Sequence, residues 1–333
     1  MTPQILTPQV GYKPHRYPQF YRHWQQQQRI HWLPQEVPLA EDVKDWATKL
    51  SDQERNLLTH VFRFFTQSDI EVQDNYMTRL GTLEWPTEVK MMLAAFANME
   101  TIHIDAYSLL IETIGMPETT YSQFMDYQEL KDKHETYKSF STDTAEDVAK
   151  TLAMFGGFAE GVQLFASFAV LMNFPRFNKM KGMGQIVSWS VRDESLHSEG
   201  ITDLFKTYVQ ETGVLSRGLK SEIYGIAETV VKQEDKFVDL MFEAGPVEGI
   251  TTDDMKAYIR YMTDYRLRGL GLKSIFKVGR RHPLPWLTPL LSGPEFANFF
   301  ETRSTEYSKA ATTGDWADVW NDMATKGYQI NAD

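Results

Sequence analysis

Apolar residues recur at intervals of three and four along most of this chain, the spacing that gives a helix one buried face, and no window sustains the alternation of a strand. Ser51 followed three residues later by Glu54 makes a capping box, and the pattern behind it predicts a helix from there to about Leu80. A second helix is expected after Pro86-Thr87, stopping at Gly115 with Pro117 just beyond. A shorter one is expected near 119–138, and a long one over about 144–172, closed by Asn173-Phe174-Pro175. The next runs from about Met183 to Glu211, before Gly213, and two more fit 217–244 and 252–272. Long helices in series with modest connections predict an all-α bundle over 51–299. Residues 1–50, with Pro3, Pro8, Pro14, Pro18, Pro34, Pro38 and a glutamine run at Gln25 to Gln28, are expected to form an irregular segment packed on that bundle. The polar stretch 300–333, which contains Thr312-Thr313-Gly314-Asp315, reads as a flexible tail.

Composition narrows the function classes. A net charge of -11 and a pI near 5.3 argue against a nucleic-acid partner, which would call for a basic face. The chain has no cysteine, which removes disulfides, thiolate metal sites and cysteine nucleophiles. The amino terminus lacks the charged-then-apolar order of a secretory signal. The longest apolar stretch, Thr151 to Phe174, holds Glu160, Gln163 and the pair Gly156-Gly157. A carboxylate at mid-bilayer costs about 2.5–3.5 kcal/mol or more, so this stretch is expected to be a core helix of a cytoplasmic protein.

Chemistry enters with Glu-x-x-His, which occurs twice: Glu100-Thr101-Ile102-His103 on the second long helix and Glu194-Ser195-Leu196-His197 on a later one. Residues three apart share a helix face, so each pair can offer a carboxylate and an imidazole to one ion. Two more acids stand where apolar residues are expected. Asp69 follows Val61-Phe62-Arg63-Phe64-Phe65 by one turn, and Glu160 lies between Met154–Ala159 and Leu164-Phe165-Ala166. One such motif alone is common by chance, and a lone acid in an apolar run is more often paired or reaching solvent. Four long helices each delivering an acid, two of them adding a histidine, is the arrangement of ferritin-like di-metal bundles. Four buried carboxylates would carry about four negative charges, which two divalent cations cancel. An oxygen-rich, thiolate-free donor set suits Fe or Mn rather than structural zinc. Tyr107, one turn after His103, faces the same core, where a phenol beside a redox pair becomes oxidisable.

Together these stretches resemble the small subunit of class I ribonucleotide reductase. The likeness runs through Phe62–Asp69, Glu100–Tyr107, Arg192–His197, Tyr258–Gly271 and Pro283-Leu284-Pro285-Trp286, covering nearly the whole chain from about Trp32. It implies a ferritin-like bundle holding two metal ions per chain, Fe first and Mn second, on Asp69, Glu100, His103, Glu160, Glu194 and His197. It implies that Tyr107 carries a stable radical, that Trp32 feeds an electron toward the metals, and that Asp193 links Trp32 to His103. Near the carboxyl end, Glu301 and Tyr307 resemble tail residues that pass the radical to a partner. Leu164 departs from the family, which often has phenylalanine there. Reduction of a ribonucleotide in this family uses a thiyl radical and a cysteine pair, so a chain without cysteine requires a separate large catalytic subunit, bound through the tail. A homodimer is also implied. The competing reading is a ferritin-like di-iron oxidase acting on its own small substrate; iron storage fits less well, since storage chains are shorter.

Overall fold

Ser51 accepts a hydrogen bond from the Glu54 amide at 3.2 Å, and the Glu54 carboxylate accepts one from the Ser51 amide at 2.8 Å. That box starts helix α3, and the computed structural model, which describes residues 4–279 and 281–291, builds an all-helical bundle around it. In chain order the helices are α1 (Pro18–Arg29), α2 (Ala40–Thr48), α3 (Asp52–Asp74), α4 (Thr87–Thr113), α5 (Gln128–Lys138) and α6 (Ala145–Leu152). There follow α7 (Phe165–Met172), α8 (Lys181–Thr212), α9 (Arg217–Met241), α10 (Thr252–Gly269) and the short α11 (Leu287–Leu291). No strand occurs among the described residues; one isolated bridge pairs Val247 with Ile250.

The helices agree with the periodicity of the chain, with four differences. The helix expected from Ser51 to about Leu80 ends as α3 at Asp74 and continues as a π-helix over Asn75–Arg79. The segment expected to be irregular contains α1 and α2. Pro18 sits in the first turn of α1, where a missing N–H costs nothing, so the proline content signalled helix starts and connections rather than irregular chain throughout. Phe20, His23 and Gln27 form the buried face of α1, which packs on α4. Between 118 and 126 the chain makes two short 3-10 turns, and α5 begins only at Gln128. The helix expected over 144–172 is interrupted: Ala153–Leu164 winds as a π-helix between α6 and α7.

This wide segment is buried throughout and packs against α8, α9 and α10. Its glycines allow that approach. A Cβ at Gly156 would collide with the Ile201 side chain, and one at Gly161 would lie 2.6 Å from the Arg266 Nε, which instead donates to the Gly161 carbonyl at 3.0 Å. By length and hydropathy the run from Ala145 to Phe177 could cross a membrane, but its apolar window is wholly buried inside the protein. Burying one such large apolar side chain stabilises the fold by about 1.5–3 kcal/mol, so this run is core.

The start of α8 is capped from another helix. Met180 stands in the left-handed region (φ 52°), and the amides of Gly182 and Met183 donate to the Asp42 carboxylate of α2 at 2.9 and 2.6 Å. The Met180 amide donates to Asp45 at 2.9 Å. Anionic groups at a helix N-terminus satisfy its open N–H groups and its dipole. Asp42→Ala should therefore cost about 1–3 kcal/mol, visible as a lower urea midpoint with helical circular dichroism unchanged in buffer. An unchanged midpoint would show that α8 does not depend on α2 for its first turn.

Candidate metal centre

Four elements converge on one buried pocket. Glu100 and His103 lie three apart on α4, Glu194 and His197 three apart on α8, Asp69 comes from α3 and Glu160 from the π-helix. All six side chains are at most 1% exposed. Single donor atoms of Glu100, Glu160, Glu194 and His197 lie within 4.8 Å of one another, so this buried group can hold a metal ion. His197 Nδ1 is 3.0 Å from Glu100 Oε1, 3.4 Å from Glu194 Oε2 and 3.7 Å from Glu160 Oε1. His103 Nδ1 is 3.1 Å from Glu194 Oε1 and 3.4 Å from Glu100 Oε2. Asp69 stands in the electrostatic field of Glu100, His103 and Glu194, with its Oδ1 taking the Ser68 hydroxyl at 3.1 Å.

These donors crowd one another as ion pairs, and few of the contacts are aligned hydrogen bonds. Asp69 Oδ2, both oxygens of Glu100 and of Glu194, Glu160 Oε2 and His197 Nδ1 are buried and lack an aligned hydrogen-bond partner. Native proteins rarely leave so many buried polar atoms open in one place. The protonation pattern has the same cause. Burial, together with Glu194 and Glu100, pushes the Glu160 carboxyl up to about 8 against the pull of His197. Burial and Glu100 push Asp69 well up. Burial opposes the charge on Glu100 too, but the two imidazoles outweigh it and hold that carboxyl below its usual range. Burial lowers His103 and His197, yet the surrounding carboxylates win and raise both. The pocket is short of positive charge, and divalent cations bound by carboxylate and imidazole meet that need.

Outer partners orient both imidazoles. Asp193 Oδ2 accepts from the Trp32 indole N–H at 2.7 Å and lies 3.3 Å from His103 Nε2. The Gln27 amide donates to Asp193 Oδ1 at 3.2 Å, while its Oε1 lies 3.1 Å from His197 Nε2. A carboxylate can only accept, and Gln27 has already turned its amide nitrogen toward Asp193. Nε2 of both histidines therefore donates, which leaves Nδ1 as the atom that faces the carboxylates and would ligate a metal, the orientation that outer partners give metal-ligating histidines. Gln27 gives no signal in the sequence: it is one of four consecutive glutamines, and its partners lie 166 and 170 residues away. Tyr76, whose hydroxyl donates to Glu160 Oε1, is also absent from the sequence-derived set, although it sits two helical turns beyond Asp69 and so on the same side of the chain.

Tyr107 is 2% exposed and stacks on Phe65, with ring centroids 4.3 Å apart and planes inclined by 12°. Its hydroxyl lies beside Ser190 and in the field of Asp69; burial first, then that carboxylate, raises its pKa. Leu164, where the family often has phenylalanine, is buried. Trp32 is fully buried with its ring centroid 6.1 Å from that of His103. Glu301 and Tyr307 lie outside the described residues.

Comparison with known proteins gives one consistent result. Residues 9–283 match the family model "Ribonucleotide reductase, small chain". The chain is 42% identical to a probable ribonucleoside-diphosphate reductase small subunit of Invertebrate iridescent virus 6, over 93% of this chain and 97% of that protein. It is 27% identical to the ribonucleoside-diphosphate reductase subunit beta of Chlamydia pneumoniae, over 84% of each. Among solved structures it is similar to the ribonucleotide reductase R2 subunit from Clostridium botulinum, with a TM-score of 0.79 and 21% identity over 85% of this chain and 91% of that one. It is also similar to the dimanganese(II) NrdF of Streptococcus sanguinis, with a TM-score of 0.72 and 20% identity over 85% and 99% of the two chains. At these identities the two structural likenesses speak for the fold.

Proposed function

Because this chain belongs to the ribonucleotide reductase small-chain family, and so is the subunit beta of an oxidoreductase that works with a large subunit, we propose that it makes and stores the oxidising equivalent for that partner. The observation that carries the reading is the buried pocket of carboxylates and imidazoles, with Tyr107 in the field of Asp69 and Trp32 joined to His103 through Asp193. Asp69, Glu100, His103, Glu160, Glu194 and His197 would hold two metal ions, iron first and manganese as the alternative. Such a pair, when bound, supplies the power to remove one electron from a phenol.

The rest is done by the chain itself. Tyr107 gives up an electron and its phenolic proton, and the Asp69 carboxylate, whose field reaches that hydroxyl, is the base within the same pocket. Phe65 and the apolar core exclude water and reductants from the resulting radical. Trp32 supplies the compensating electron: its N–H stays on Asp193, so positive charge on the indole is stabilised at the carboxylate that also orients His103. The stored equivalent then passes to the large subunit, which carries the cysteines this chain lacks, through tail residues Glu301 and Tyr307. We place the working form as a cytoplasmic homodimer bound to that subunit.

The test is reconstitution. Alone, the metal-loaded protein should reduce no ribonucleotide, and activity should appear with a cysteine-containing large subunit. Removing residues 301–333 should abolish turnover and weaken association while metal content stays the same. Full activity in the shortened protein would remove the tail from the mechanism. Turnover of a small substrate without any partner would favour the oxidase.

A further inference from the structure

Trp32 cannot meet an electron donor directly, because its side chain has no exposed surface. Among the described residues two rings adjoin it. His103 lies on the pocket side, and Trp189 lies with its centroid 5.1 Å away and its plane tilted by 56°. Trp189 stands one helical turn before Asp193 on α8, is half-buried, and therefore reaches the surface that Trp32 does not. An indole is among the side chains most readily oxidised by one electron, and imidazole is not. A positive charge on either indole is also favoured by the electron-rich face of the ring beside it.

We propose that Trp189 is the surface end of a two-indole electron route into the metal pocket, donating to Trp32 after Trp32 has been oxidised. The proposal rests on the assignment of Trp32 and Asp193 given above. One electron passes from Trp189 to the Trp32 radical cation. Trp32 returns to its neutral form with its N–H still bonded to Asp193, and Trp189 holds the radical cation until a one-electron reductant at the surface refills it. No other bond is made or broken.

Two measurements test it. In metal-free protein the contacting indoles should give an exciton couplet in circular dichroism, lost alike in Trp32→Phe and Trp189→Phe; a wild type without a couplet would overturn the pairing. Metal-free protein is then loaded with ferrous iron and mixed with dioxygen and increasing ascorbate, while indole-radical absorbance is followed. In wild type its decay should accelerate with ascorbate. In Trp189→Phe that dependence should fall by about tenfold or more, and Trp189→Tyr, which stays oxidisable, should recover part of it. A purely packing role predicts the reverse order for those two variants, since Phe keeps the apolar contact, and unchanged ascorbate dependence in Trp189→Phe would end the proposal. If Trp32→Phe keeps the wild-type indole signal, the Trp32 assignment itself is wrong and the proposal goes with it.

Discussion

Tyr107→Phe should bind its full complement of metal, show no tyrosyl radical signal after activation, and be inactive with the large subunit. The substitution removes one hydroxyl and keeps the ring on Phe65, so the packing that holds the residue survives. Loss of one buried hydroxyl should move stability by about 1 kcal/mol or less. A phenol has an unperturbed pKa near 10 and here burial raises it further, so at neutral pH the side chain is protonated and loses its proton with the electron. Phenylalanine can do neither. Electron paramagnetic resonance on activated wild type and variant, with metal content measured on the same samples, decides the matter. An active Phe variant, or an active wild type without the signal, would mean that the oxidising equivalent resides on the metals and that Tyr107 is an ordinary core residue.

The second large effect is expected at Glu194. Its two oxygens lie 3.1 and 3.4 Å from the Nδ1 atoms of His103 and His197, so it stands between both halves of the pocket. Glu194→Ala should lose most bound metal while retaining helix content, because the surrounding core is apolar; two metals per chain in the variant would refute the ligand assignment. Glu194→Gln gives a second reading. In metal-free protein the isosteric amide removes the charge that faces both imidazoles, so the variant should unfold at lower urea than wild type. With metal added the gap should widen, since wild type gains binding energy that the variant cannot. A metal-free variant as stable as wild type would show that the imidazoles do not depend on Glu194.

Much of this site is legible without any knowledge of the fold, and the reason is geometric. Glu100 with His103 and Glu194 with His197 share a helix face by virtue of a three-residue spacing that the backbone itself imposes. Asp69 and Glu160 stand out because an acid amid phenylalanine, leucine and alanine needs a partner, and a cation is the partner that serves all four. The capping box at Ser51 is equally local, requiring only Glu54 three residues on. The features hidden from the sequence depend on distant residues. Helix α1 is masked by prolines that start and connect helices, and Gln27 gains its role only when α1 packs on α8 and brings it to Asp193 and His197. The π-helix around Glu160 is masked too, because the glycines that permit it announce close approach without saying to what; Ile201 and Arg266 supply the answer.

The sequence by itself thus determined the class of fold and the pairing of acid with histidine, and it marked the six candidate donors, since each follows from spacing within one helix and from the cost of burying charge. The tertiary structure decided which atom of each imidazole looks inward, which acid receives the tyrosine hydroxyl of Tyr76, and that Trp32 is joined to His103 through Asp193 on one side and to Trp189 on the other. Those choices are made by hydrogen-bond partners and ring contacts contributed by different helices. No helix carries them in its own periodicity, because a proton on one side of an imidazole is fixed by whatever acceptor folding brings to that side.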